Sequence, residues 1–443
     1  MTSTAARLAT IAGLARALRD RETSASDLAD AALRRTHDLN PTLNAFALVD
    51  DQGARTAART ADEQLASGID LGPLHGVPVA IKDLIDIAGL PTTCGSATSS
   101  GATAQADAEV VRRLRDAGAV IIGKTTLHEF AYGATGDRSV HGASRNPADP
   151  SRMSGGSSGG SAVAVASGMV PLALGTDTAG SVRVPAALCG VVGLKPAYDA
   201  VPSTGVHPLA PTLDHVGLFG ATAEDVLIGY EALSDRQLLP GNGERLSVGW
   251  IQPGDLAVAD PRIEELTLAL LTRAPFALAT VRGFPKDRDL FEVFSTLQGR
   301  EAFQVHEHHL DDDQDRIDPE VVARLYRGKD ISAAQYAEAD EARREFRATV
   351  DQLLSTYDVL ALPTVPTVAP TLGERRITVA GTEVEVRAAL LSLTSPWNLA
   401  GVPAISVPAG RLDGLPVALQ LVTAPGNEHL LFQAAQALET TSI

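Results

Sequence analysis

With 443 residues, 44% of them hydrophobic and 21% charged, the chain is long enough to bury a large core in one domain or two. Its net charge of −17 repels nucleic-acid phosphates and anionic lipid, and no apolar run reaches the roughly 18 residues that span a membrane, so neither is expected as a partner. Two cysteines, Cys94 and Cys189, are too few for a disulfide framework and form no CxxC zinc site; with no compact apolar signal segment in residues 1–20, a reduced, cytoplasmic protein is expected.

Leu8, Ile11, Ala15 and Leu18 recur at helical spacing. Thr23, Ser24 and Ser26 offer N-caps for a second helix through Leu28, Ala32 and Leu33, which Asn40-Pro41 is expected to end. A third helix covers 54–65. Residues 73–76 read as a turn, and 77–81 as a buried strand running into Lys82-Asp83. An amphipathic helix at 110–117 precedes a second buried strand at 119–122, closed by Gly123. This alternation predicts α/β layers. Next come two glycine–hydroxyl loops, Ser154-Gly155-Gly156-Ser157-Ser158-Gly159-Gly160-Ser161 and Gly175-Thr176-Asp177-Thr178-Ala179-Gly180-Ser181. An apolar helix at 162–166 and a strand at 171–174 separate them, and a strand at 191–194 follows. Residues 222–357 are more polar and mainly helical, with a strand around Val248 and the longest helix at 335–354. Apolar runs at 359–362, 404–407 and 417–421 return to the sheet, and 429–438 is a closing helix. No repeat or Pro/Ser-rich linker divides the chain, which favours a single domain over 1–443.

Three features could carry chemistry. Gly155-Gly156-Ser157-Ser158-Gly159 formally contains GxSxG, the nucleophile elbow of α/β-hydrolases. An elbow also needs an acid and a histidine downstream, and Asp177, Asp214, His207 and His215 stand in no persuasive context; a flexible Gly/Ser linker is the plainer alternative. The turn Thr178-Ala179-Gly180-Ser181 can direct successive N–H groups into one concavity, as a tetrahedral oxyanion requires, with its serine as nucleophile; an ordinary capped turn competes. Lys82, directly after an apolar strand, is either a strand-end charge reaching solvent or a buried base whose pKa must fall from about 10.4 toward neutrality, which burial can supply at about 4 kcal/mol. His306-Glu307-His308-His309 lacks the HExxH spacing and reads as a solvated helix face, so no metal site is expected. Phe130, Tyr132 and Trp397 could line a pocket, with core packing as the competing role.

Taken together, these segments resemble the amidase signature family. The matching blocks are Gly72-Pro73-Leu74-His75-Gly76-Val77-Pro78-Val79-Ala80-Ile81-Lys82-Asp83, the run from Met153 through both glycine–hydroxyl loops to Val182-Arg183-Val184-Pro185 and Cys189-Gly190-Val191-Val192-Gly193-Leu194-Lys195-Pro196, and Asn398-Leu399-Ala400-Gly401-Val402-Pro403-Ala404. The resemblance covers nearly the whole chain, with a signature core at about 72–220 and a more variable helical region at about 222–357. It implies a single α/β domain whose mixed sheet is covered on both faces by helices. It implies a catalytic triad of Ser181 as acylated nucleophile, Ser157 as middle serine preceded by a cis peptide bond, and Lys82 as base. Backbone N–H groups at Thr178, Ala179, Gly180 and Ser181 would form the oxyanion hole. Asp177 and Arg183 would pair to hold the loop, and Ser158 would either bond Lys82 or cap the next helix. The implied reaction is hydrolysis of a small-molecule carboxamide without metal or organic cofactor. Ala179 stands where most relatives have glycine, and an N–H survives there if the backbone keeps a negative φ. The Thr-Ala-Gly-Ser form looks like that of allophanate-type hydrolases, whose extra C-terminal domain has no counterpart in these 443 residues. The glutaminase subunit of a tRNA-dependent amidotransferase shares the blocks, but its Arg-Tyr-Gly stretch is replaced by Val201-Pro202-Ser203-Thr204-Gly205-Val206. A non-catalytic binding protein on the same fold is the remaining alternative, and the presence of all three triad residues argues against it. A homodimer is compatible with the sequence.

Overall fold

The computed structural model describes residues 10–98, 102–238, 245–285 and 289–441. One sheet organises them. Its strands are β1 (Phe46–Val49), β2 (Pro78–Lys82), β3 (Val120–Thr125), β4 (Leu172–Thr176), β5 (Val192–Lys195), β6 (Val216–Gly220), β7 (Ser247–Trp250), β8 (Ala277–Thr280), β9 (Val359–Pro363), β12 (Ala404–Leu412) and β13 (Leu415–Val422). They lie in the order β1-β3-β2-β4-β6-β5-β12-β13-β9-β7-β8; β10 (Arg376–Val379) and β11 (Thr382–Glu385) form a separate hairpin. β2 runs parallel to both β3 and β4, whereas β6, β5, β12, β13 and β9 pair antiparallel with their neighbours in that series, so the sheet is mixed.

The period-2 rule shows both faces covered. Val79, Ile81, Ile121, Leu172, Leu174 and Leu218 enter one core cluster with the helices α1 (Ile11–Arg19), α4 (Glu109–Asp116) and α7 (Ala223–Leu233). The alternate residues Ala80, Val120, Ile122, Ala173 and Phe219 enter another with α2 (Ala25–Leu43), α3 (Asp51–Ala66) and α5 (Gly159–Ala166). At the far half of the sheet Leu360 and Leu362 pack under α9 (Leu290–Asp312), α11 (Ala333–Leu354) and α13 (Ser395–Leu399). Four further helices complete the chain order: α6 (Arg183–Cys189), α8 (Pro261–Arg273), α10 (Pro319–Lys329) and α12 (Val386–Ser392), followed by the closing α14 (Glu428–Thr441).

The expected strands and helices are present at nearly their expected limits, with three corrections. Pro41 does not end α2; it sits inside the last turns, and the helix runs on to a left-handed Asn44 whose N–H donates to the Asn40 carbonyl at 2.8 Å. The Asn40 side chain instead grips the next strand, accepting from Phe46 N (2.8 Å) and donating to Phe46 O (3.0 Å). Gly123 does not close β3. It pairs with Val49 of β1, and a Cβ there would lie 2.2 Å from the Leu48 carbonyl oxygen, so the missing side chain admits the edge strand rather than stopping the central one. The longest helix is α9, with 23 residues against 22 in α11. Leu8, expected to open α1, lies outside the described residues. The strands β1, β6 and β8 and the hairpin strands β10 and β11, each four or five residues long, are additions to those expected.

No described helix is long and apolar enough to cross a membrane. Replacing Gly123 with alanine is expected to push β1 off the sheet edge and lower the thermal midpoint by a few degrees, about 1–3 kcal/mol. Gly254→Ala, where a Cβ meets nothing within 4 Å, serves as the unperturbed control in the same melt.

Candidate active site

Parallel strands deliver their C-terminal ends to the same side of a sheet, and loops beyond those ends build the sites of α/β proteins. β2 ends at Lys82 and β4 at Thr176. Lys82 is fully buried, and its Nζ donates to Ser157 Oγ and to Thr176 Oγ1, each at 2.8 Å. Burial of the ammonium pulls its pKa down to about 7, against the opposing fields of the Asp214 and Asp177 carboxylates. The amine is therefore substantially neutral near physiological pH. Sequence reasoning misses Thr176 as a partner; its place at the end of a strand next to β2 is the only hint, and that adjacency is a matter of topology.

Ser157 is presented by the first glycine loop through a cis Gly156–Ser157 peptide bond. Its carbonyl accepts from His128 N at 3.0 Å, and the following Ser158 N–H donates to the Ser181 carbonyl at 3.2 Å, which ties the middle serine to the second loop. The Ser158 hydroxyl neither bonds Lys82 nor caps α5. It donates to Thr176 O (3.1 Å) and accepts from Thr176 N (3.2 Å), pinning the end of β4. Gly155 takes φ +79°, with its Cβ position crowded against the Pro185 backbone at 3.0 Å.

Ser181 is 4% exposed. The turn that carries it is held from within by Asp177, whose carboxylate accepts from Gly180 N (2.8 Å), Val182 N (3.2 Å) and the Asn398 amide (2.9 Å). The expected Asp177–Arg183 pair is present, 2.8 Å apart with both side chains at zero exposure. Arg183 also donates to Gln420 Oε1 (2.7 Å), Thr394 O (2.9 Å) and Asn398 Oδ1 (2.6 Å). Burial alone would raise the Asp177 carboxyl; the Arg183 guanidinium, with help from Lys195 and Asn398, outweighs it and holds the group well below the usual carboxylate range. A buried pair of this kind contributes only because every lone pair and N–H finds a partner.

One expectation about the oxyanion donors is corrected. The Gly180 N–H is engaged by Asp177. The N–H groups of Thr178, Ala179 and Ser181 have no acceptor among the described residues. Ala179 keeps an ordinary negative φ, so alanine is tolerated there. Gly180 has φ +135°, and a Cβ would lie 2.2 Å from Thr394 Oγ1, so only glycine fits. Thr178 Oγ1 donates to Asp214 at 2.6 Å, and that carboxylate also accepts from Leu209 and Ala210 N–H; burial pushes its pKa up to about 6.

The elbow alternative finds no support. His215 faces the Asp177 and Leu213 carbonyls and Lys195, and among the described residues no histidine bonds Ser157 or Ser181 Oγ. The expected solvated histidine face is overturned in part. His306 is buried, stacks on Phe130 with 4.4 Å between ring centroids, and is pushed down to about 3 by burial; His308 remains exposed. With Cys94, His207 and His309 it lines a cavity of about 500 Å³. Among the described residues no three His, Cys, Asp or Glu side chains are arranged to hold a metal. Trp397 is core, its indole N–H donating to Leu393 O at 3.0 Å.

Comparisons with known proteins identify the family. The family model described as Amidase matches residues 27–239 and 277–432. AtzE, the 1-carboxybiuret hydrolase subunit from Pseudomonas sp. strain ADP, is 37% identical over 95% of this chain and 96% of its own. A glutamyl-tRNA(Gln) amidotransferase subunit from Symbiobacterium thermophilum is 36% identical over 94% and 93%. A crystal structure of an amidase superposes with a TM-score of 0.92 at 34% identity, covering 96% of this chain and 98% of that one. The 6-aminohexanoate cyclic dimer hydrolase, solved with substrate, gives 0.86 at 28% over 98% and 96%. This chain belongs to the amidase signature family and is an amidohydrolase.

Proposed function

We propose that the enzyme cleaves the C–N bond of a small-molecule carboxamide through an acyl-enzyme on Ser181, with Ser157 as relay and Lys82 as base. The observation that carries this reading is the fully buried Lys82 amine 2.8 Å from Ser157 Oγ, on a loop whose next residue bonds the Ser181 backbone. Neutral Lys82 takes the Ser157 hydroxyl proton while Ser157 takes that of Ser181, and Ser181 Oγ attacks the amide carbon. The carbonyl oxygen becomes an oxyanion facing the N–H groups of Thr178, Ala179 and Ser181; such a donor is worth about 2.7–4 kcal/mol in the transition state. The same relay returns the proton to the leaving nitrogen as the C–N bond breaks. Water then repeats the sequence on the ester, releasing a carboxylate and restoring Ser181. Every proton begins and ends on these groups, substrate or water, so the scheme calls for no cofactor. Asp177, Arg183 and Ser158 act by holding the loops.

Ser181→Ala and Lys82→Met are each expected to lower kcat/KM on an aryl-amide panel by at least about 10³-fold, and Ser181→Ala to abolish labelling by a fluorophosphonate probe; near-normal turnover in either variant would contradict the assignment. The rate should rise with pH through about 7, as the Lys82 ammonium loses its proton, and level off above. A pH profile of kcat/KM that falls across that range would remove lysine as the base. Stability follows the same group. Its folded pKa lies below the unfolded value near 10.5, so the protein loses stability as pH falls from 10.5 toward 7. Lys82→Met should therefore melt no lower than the parent at neutral pH while losing activity.

A further inference from the structure

Asp214 is a half-buried carboxylate beside the nucleophile turn with no role in the scheme above. Three donors converge on it: the Thr178 hydroxyl on Oδ1 at 2.6 Å, and the Leu209 and Ala210 N–H groups on Oδ2 at 2.8 and 3.0 Å. Each of these donors is neutral. The charge of Asp214 is unfavourable on two counts. Burial, joined by the Glu301 carboxylate, pushes its pKa up to about 6 against the pull of the donors. Its field also favours the ammonium form of Lys82, which cannot act as a base. Tyr198 lies within the same field, and the adjoining His215 turns its ring to the Asp177 and Leu213 carbonyls.

The carboxylate is nevertheless held firmly. Its own N–H donates to Ala210 O at 2.9 Å, and Thr212 of the same loop donates from N and Oγ1 to the two oxygens of Glu301 on α9, at 2.9 and 2.6 Å. Two residues of α11 close this clamp: Tyr336 donates to Glu301 Oε1 at 2.9 Å, and Arg343 to Thr212 Oγ1 at 3.0 Å. Asp177 and His215 exchange backbone hydrogen bonds at 2.8 and 3.1 Å, which sets Asp214 opposite Thr178. A threonine hydroxyl readily accepts from the backbone N–H two or three residues ahead. Two ahead of Thr178 is Gly180 N–H, already taken by Asp177; three ahead is Ser181 N–H, which has no acceptor among the described residues. A bond from Ser181 N–H to the Thr178 hydroxyl would consume an oxyanion donor. We propose that Asp214 is a positioning residue for the oxyanion hole: by drawing the Thr178 hydroxyl to itself, it keeps the Ser181 N–H available to the substrate carbonyl. This role rests on the acyl-enzyme reading above. It calls for an acceptor-only group, because three donors meet on two oxygens; an amide would turn its NH2 toward either the hydroxyl or the two N–H groups.

The test uses the full chain with an aryl amide as substrate and an aryl trifluoromethyl ketone as inhibitor. The ketone carbon bonds Ser181 Oγ while the serine proton passes to the Ser157–Lys82 relay, which leaves an oxyanion in the hole. Both are measured at about pH 8.5, above the transitions of Lys82 and Asp214. Asp214→Asn should lower kcat by about 10²-fold with KM within about twofold, the loss expected for one oxyanion donor, and raise the Ki of the ketone by a similar factor. Adding Thr178→Val, which removes the hydroxyl and keeps the side-chain shape, should restore about tenfold of that loss, because the two changes act on one contact. Circular dichroism and thermal melts identify a variant that fails to fold. Asp214→Glu, which stays acceptor-only at a different reach, then replaces Asp214→Asn, with the same joint change in kcat and Ki expected. Parental kcat and Ki in Asp214→Asn, a loss of kcat without the matching rise in Ki, or a double variant no faster than the single one overturns the proposal while leaving the acyl-enzyme intact. Failure of the fluorophosphonate probe to label Ser181 in the parent would remove the acyl-enzyme reading, and this one with it.

Discussion

An amine at the end of a central strand, closed off from water and facing two hydroxyl oxygens, is the constraint to which the rest of this molecule answers. Lys82 cannot reach solvent from the end of β2, because β3 and β4 flank it and the Ser157 loop covers it. A charged ammonium there would lose far more hydration than two neutral hydroxyls return. The neutral form is therefore favoured, and a neutral amine with a lone pair toward a serine hydroxyl is a base. Burial here stabilises nothing by itself; it converts a common surface residue into a reactive one.

That base is useful only if both serine loops are held in register, and the means is a second buried charge system. Asp177 fastens the Ser181 turn through backbone N–H groups, and Arg183 fastens Asp177 to residues more than two hundred positions downstream. Loss of one member of such a pair leaves the other charged and unpartnered, a loss of about 3–5 kcal/mol. The C-terminal third of the chain thus contributes no reacting atom in the proposed scheme, yet Thr394, Asn398 and Gln420 set the shape of the nucleophile turn. The same carboxylate also occupies the Gly180 N–H, so loop order is gained at the expense of one potential oxyanion donor.

Charge is distributed in opposite senses inside and out. The surface is strongly acidic, while buried cations lie around the catalytic loops: Lys82 neutralised by burial, Arg183 balanced by Asp177, and Lys195 pulled well below its ordinary range. Each is explained by the loop or partner it holds or activates.

Much of this was legible in the residues alone. Apolar runs bounded by glycine and charge marked the central strands, because a strand buried on both faces has no polar side to interrupt it. The two glycine–serine blocks, with the lysine after the strand, resemble the amidase signature over long specific stretches, and that resemblance implied Lys82, Ser157 and Ser181 as the triad. The edge strands β1 and β8 were missed: most of their residues are only partly buried or exposed, so neither stands out as a doubly buried run. Tertiary structure alone decided that Thr176 shares the amine with Ser157, that Ser158 pins β4 instead of the lysine, that His306 turns inward onto Phe130, and that Gly180 gives up its N–H. Each of these depends on which groups from distant segments meet in a shared dry space. A linear sequence records the chemistry a residue offers; only packing fixes which partner it finds and whether water is there to compete.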